Sequence, residues 1–177
     1  MIEAGREFRN PRNGAVGRVI ERTPERAVLE RLMPPGTGRG QAHVHRDFEQ
    51  RFEVVSGVAT FALDGDERTL SAGESAEIPL GVAHVDPFNA SDEPVVVRNV
   101  VYPAGGFVDV YVASWGHALE AGRLDDQDEF TFLGLATMLA EAGGDSWAAG
   151  PPIALQKLAI RPAAAIGRRR GHRAHSD

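Results

Sequence analysis

Up to residue 102 the apolar residues come in short runs divided by turn formers. Residues 17–21 and 27–33 carry Val, Ile and Leu on either side of Thr23-Pro24-Glu25, and Pro34-Pro35-Gly36 stops the second run. Further strand-like stretches cover 41–55, 58–63, 76–78 and 95–102. Asp64-Gly65 is a hairpin dipeptide, because glycine accepts positive φ at little cost. Ser71-Ala72-Gly73, Pro79-Leu80-Gly81 and the polar stretch 89–94 mark further turns. Strands this short, with a turn signal every 8–12 residues or so, predict an antiparallel sandwich or barrel rather than a parallel sheet.

At Pro103 the period changes. Val108, Tyr111, Val112, Trp115 and Leu119 recur at helical spacing, which predicts a helix over 107–119. Asp125, Asp126, Asp128 and Glu129 then precede a second apolar stripe, Phe132, Leu135 and Leu139. Acidic residues suit a helix N-terminus, so this helix is expected to begin among them and to end at Gly143-Gly144. A weaker helical piece spans about 153–160. The chain thus divides into an N-terminal arm (1–14), a barrel (15–103), a helical extension (104–162) and a basic, disordered tail (163–177).

Composition narrows the function. With no cysteine among 177 residues, a disulfide scaffold, a thiolate zinc site and a cysteine nucleophile are excluded. The net charge of −6 divides into −10 over residues 1–160 and +4 over the Arg-rich 161–177. An acidic body repels a phosphate backbone, so no nucleic-acid partner is expected, and the arginines read as a solvated terminus. Residues 1–14 lack the apolar core of a signal peptide. The longest nearly apolar stretch, 132–140, is about half a membrane span. The expectation is a soluble, cytoplasmic protein without a transmembrane segment.

The histidines carry the candidate chemistry. His43 and His45 lie two apart on a predicted strand, so their rings point to one face. His84 follows the Pro79-Leu80-Gly81 turn at the start of another strand. Two imidazoles from one strand and one from a neighbour can occupy one side of a metal's coordination sphere and leave positions open for a substrate. His117, on the first helix, and His172 and His175, in the tail, read as solvated histidines outside this cluster.

The stretch 38–57, GRGQAHVHRDFEQRFEVVSG, resembles the first motif of the cupin superfamily, and 73–84, GESAEIPLGVAH, resembles the second. The resemblance implies a mainly β fold, a cupin-like jelly-roll barrel followed here by two or three C-terminal α-helices, with a metal and an organic ligand at the barrel mouth. The family pattern has a Glu seven residues before the Gly that ends the first motif; here that position is Gln50, with Glu49 beside it. Gln50 shares strand parity with apolar Phe52 and Val54, whereas Glu49 shares it with Arg51 and Glu53. Gln50 is therefore expected to face inward. The expected metal ligands are His43, His45, Gln50 and His84, with Glu49 as the fallback. After His84 the family's Asn lies one residue farther on, at Asn89, which implies a bulge at the mouth. Asp86 then stands as a weak candidate for proton transfer, with a surface turn as its plainer role.

Taken together, the resemblance implies one divalent transition metal (Fe, Ni, Mn, Zn or Cu) acting as a Lewis acid on a small, apolar or aromatic oxygenated molecule. The reaction would be of oxygenase, isomerase or cyclase type; the alternative is a non-catalytic module that binds or senses a small ligand. The apolar helical stripes are expected to cover the barrel or to pack across a homodimer.

Overall fold

Ten strands precede the first helix in the computed structural model, which describes residues 1–143 and 146–174. They are β1 (Glu7–Arg9), β2 (Val16–Arg22), β3 (Ala27–Met33), β4 (His43–His45), β5 (Glu49–Ser56), β6 (Val58–Leu63), β7 (Asp66–Ser71), β8 (Ser75–Ile78), β9 (His84–Phe88) and β10 (Val95–Tyr102). Helices α1 (Gly106–Glu120) and α2 (Phe132–Ala142), strand β11 (Ser146–Ala148) and helix α3 (Ile153–Arg169) follow. All strand pairs are antiparallel, in a six-stranded sheet ordered β1-β2-β3-β10-β5-β8 and a five-stranded sheet ordered β11-β4-β9-β6-β7. Inward side chains of the two sheets meet, as in the edge-to-face pair Phe52–Phe61 at 6.0 Å. The fold is mainly β, a jelly roll with a helical extension.

The interior is filled unevenly. Phe52, Phe61 and Ile78 pack one part of the barrel and Met33, Val54, Ala59, Val95 and Val97 another. At the remaining end the apolar layer passes out of the barrel, joining Ala27, Phe48 and Val101 to Phe107, Trp115 and Leu119 of α1. The helices therefore cover their own barrel. A buried ion pair fastens α1: Arg22 donates from Nε and Nη2 to the Asp109 carboxylate at 2.8 and 2.9 Å, and the Ile2 amide donates to the same group at 3.0 Å. These bonds hold the Asp109 carboxyl below the usual range although its burial pushes the other way.

Several elements differ from the sequence expectation. The run 41–55 is two strands, broken by a bend at Arg46-Asp47. The acidic residues at 125–129 do not cap α2: Asp125 Oδ1 accepts from the Gln127 and Glu129 amides, and the cap is Thr131, whose hydroxyl accepts from Gly134 N at 3.3 Å. Phe132 is 67% exposed rather than part of a buried stripe. Helix α3 runs on to Arg169, nine residues past the expected end, because Ala163, Ala164 and Gly167 are buried. The α2–α3 contact is close enough that a Cβ on Gly167 would stand 2.4 Å from Thr137 Oγ1. Arg168 and Arg169 fall in its last turn, where positive charge complements the helix dipole. Gly144 and His175 lie outside the described residues.

Helix α1 approaches β1 so closely that a Cβ on Gly116 would lie 2.3 Å from the buried ring of Phe8. Gly116→Ala is expected to destabilise the fold by about 1–3 kcal/mol through this overlap. Gly106→Ala, in the same helix with open space around it, should leave the denaturation midpoint unchanged or raised.

Candidate metal centre

Strand parity and register bring the three histidines together. His43 on β4 lies directly opposite His84 on β9, and His45 follows two residues later on the same face. The His43–His45, His43–His84 and His45–His84 ring centroids are 4.7, 4.4 and 5.2 Å apart. One nitrogen from each ring falls within 4.8 Å of the other two. His45 and His84 are buried and His43 is half-buried.

The tautomer of two rings is set by their neighbours. His43 Nδ1 is 2.8 Å from the Gln41 carbonyl and His84 Nδ1 is 2.9 Å from the Val82 carbonyl. A carbonyl only accepts, so each Nδ1 carries the proton. Burial keeps the His84 ring below its usual pKa against the pull of Asp86, so the ring is neutral and its Nε2 is a lone pair. That lone pair faces Gln50 Oε1 at 2.8 Å. Asp86 Oδ1 stands 3.6 Å from His84 Nε2 and 3.7 Å from His43 Nε2, and it is buried without a hydrogen-bond partner. Gln50 Oε1 and Asp86 Oδ1 thus both stand beside His84 Nε2, and Asp86 Oδ1 stands beside His43 Nε2 as well.

Gln50 is 4% exposed and faces the histidines, whereas Glu49 lies on the opposite face of β5 with Arg51 and Glu53. Asp86 is no surface turn. Between Ala62↔Val85 and Thr60↔Phe88 strand β9 carries one extra residue, so Asp86 and Pro87 bulge against Phe61 while Asp86 stays on the face of His84. His117 packs edge-on against Phe8, with their ring centroids 5.7 Å apart, outside the cluster. His172 is also distant from it, but half-buried rather than solvated, its pKa lowered chiefly by burial.

The cluster forms the floor of a cavity of about 330 Å³ between the barrel mouth and the helices. Its wall is mostly apolar, with Phe48, Val101 and Leu29 from the barrel and Phe107, Leu135 and Met138 from the helices. One lining carboxylate escaped the sequence reading. Glu129 accepts from Arg31 Nη1 at 2.9 Å, and the Arg31 guanidinium lies 4.8 Å from the Trp115 ring centre. Burial raises the Glu129 carboxyl well above the usual range, although Arg31 opposes the shift. The neighbouring Asp128, at φ 58°, is held by Asn10 and Asn13 at 2.7 and 2.8 Å, which fixes the loop that carries Glu129. Nothing in the local sequence marks Glu129, since its partner lies 98 residues away.

Residues 29–102 match the family described as Cupin domain. Residues 29–102 form a cupin domain. Among solved structures, the chain is similar to KdgF from Halomonas sp., at 22% identity and TM-score 0.48, over 55% of this chain and 86% of that one. It is similar also to an RmlC-like cupin from Shewanella frigidimarina, at 22% identity and TM-score 0.46, over 55% of this chain and 83% of that one. A third is an uncharacterized conserved protein with a double-stranded beta-helix domain from Klebsiella pneumoniae, at 28% identity and TM-score 0.46, over 54% and 84%. No curated protein matches the chain.

Within this cupin the two faces of β5 make opposite predictions. For a cation held at the three imidazoles, Gln50→Glu is expected to tighten binding, because it adds a negative charge on the inner face. Glu49→Gln, on the outer face, should change little. A competition titration against a chelating dye ranks the two, and the reverse order would place Glu49 at the metal.

Proposed function

We propose that this cupin is a metal-dependent enzyme acting on a small oxygenated organic molecule, with a divalent transition metal bound by His43, His45, His84 and Gln50. The observation that carries the reading is the convergence of lone pairs. A neutral imidazole nitrogen and a carbonyl oxygen facing each other at 2.8 Å repel, and that repulsion becomes attraction when a cation lies between them. Metal bonds of ~2.1 Å put neighbouring donor atoms roughly 3.0–3.4 Å apart, close to the spacings seen here. Turning the Gln50 amide would also relieve the His84 contact, but it leaves Asp86 Oδ1 without a partner.

A bound metal supplies Lewis acidity toward a carbonyl, enolate or hydroxyl oxygen. The rest is the work of the chain. The Gln41 and Val82 carbonyls fix which nitrogen of His43 and His84 faces inward. The apolar wall excludes water and selects a molecule with an apolar or aromatic body. Arg39, a lining cation, is engaged with Glu67 and stacked on Phe88. Arg31 is neutralised by Glu129. With its cations so engaged, the chamber suits an uncharged ligand better than a phosphorylated one. Glu129, whose raised pKa keeps a protonated fraction available near neutrality, is placed to give or take a proton at the roof. These features support chemistry of oxygenase, isomerase or cyclase type, in a cytoplasmic protein. Leu155, Leu158 and Ile166 are exposed on α3, which supports a homodimer formed through the helices.

Elemental analysis of the purified protein is expected to find a single divalent transition metal per chain. His43→Ala combined with His45→Ala should remove it while circular dichroism still reports the barrel. Full metal occupancy in that double variant would overturn the proposal.

A further inference from the structure

Imidazole and amide ligands bring no charge to a metal, so a dication held by three histidines and Gln50 would keep its full charge inside a mostly apolar cavity. Burying an uncompensated charge is strongly unfavourable. Three carboxylates line the chamber, and Asp125 already accepts from the Gln127 and Glu129 amides. Glu129 is already neutralised by Arg31 at 2.9 Å. Asp86 touches neither lysine nor arginine; its Oδ1 stands 3.7 and 3.6 Å from Nε2 of His43 and His84 and is buried without a hydrogen bond. A cation lying between that oxygen and the two ring nitrogens would satisfy all three at once.

We infer that Asp86 is the anionic ligand of this centre, reaching it from β9 beside His84. The inference rests on the metal reading above. The β9 bulge supplies the means. The extra residue opposite Phe61 includes Pro87, which has no N–H to give to the ladder, so the strand bends while Asp86 keeps to the side of His84. The present separations of 3.7 and 3.6 Å exceed the ~3.0 Å edge of a six-coordinate centre with bonds of ~2.1 Å, so Asp86 closes on the site by a side-chain rotation of about 0.6–0.7 Å. The negative charge of the centre then comes from the second histidine strand and not from β5, where Gln50 is neutral and Glu49 points outward.

The absence of native cysteine makes a direct test available. In the cobalt-loaded full chain, Asp86→Cys is expected to produce a thiolate-to-cobalt charge-transfer absorption in the near ultraviolet, which the wild type cannot show. Asp86→Asn, with the fold checked by circular dichroism, should weaken cobalt binding at least about tenfold in a dye competition. Cobalt-loaded Asp86→Cys without the charge-transfer band, or Asp86→Asn with unchanged affinity, would overturn Asp86 as a ligand while leaving the three-histidine centre intact. Failure of the wild type to hold cobalt, or retention by the His43→Ala, His45→Ala double variant, would instead overturn the metal reading and this inference with it.

Discussion

The candidate centre depends on one register, His43 opposite His84 across β4 and β9. Strand β4 is only three residues long, and a strand that short has little stability of its own. It is held from both sides, by β9 and by β11, whose Ser146, Trp147 and Ala148 pair with His45, Val44 and His43. Strand β11 is fastened in turn by Gln156 of α3, which bonds the Ala148 amide and carbonyl at 3.0 Å each. The helical extension therefore does more than roof the cavity. Through β11 it clamps the backbone that carries two of the three imidazoles.

Period and punctuation made most of the barrel legible in the sequence. Where apolar residues alternate and Gly or Pro bounds the run, as at 27–33, 58–63 and 95–102, the strands stand as expected. Elements held by partners were not legible. Strand β7 is polar but for Leu70 and is held by its pairing with β6, and β11 is three residues whose reason is β4. The last turns of α3 read as tail because they bury alanine and glycine, whose apolar signal is weak beside four nearby arginines. The acidic run before α2 misled because Asp125 satisfies loop amides and not helix amides.

The candidate site divides in the same way. The placement of the histidines and the inward side of Gln50 follow from residue parity, which sequence shows directly. The inward side of Asp86 depended on how β9 absorbs its extra residue, and that is settled by cross-strand pairing. Glu129 depends on a contact between the loop before α2 and Arg31 of β3, which no local pattern encodes. What a single strand can report about itself was available; what two distant segments make together was not.

The bonds from Asn10 and Asn13 to Asp128 tie the first residues of the chain to the roof loop across 118 and 115 positions. Trp115 adds a third tie, donating from its indole nitrogen to the Asp128 carbonyl at 2.8 Å. Asp128 is a non-glycine residue in the left-handed region, a conformation that persists when its surroundings enforce it. Loss of the arm would remove two of the three ties on Asp128, while the Trp115 bond and the Arg31–Glu129 pair still held the loop. The roof is braced from three parts of the molecule, the arm, α1 and β3, so no one of them alone positions Glu129.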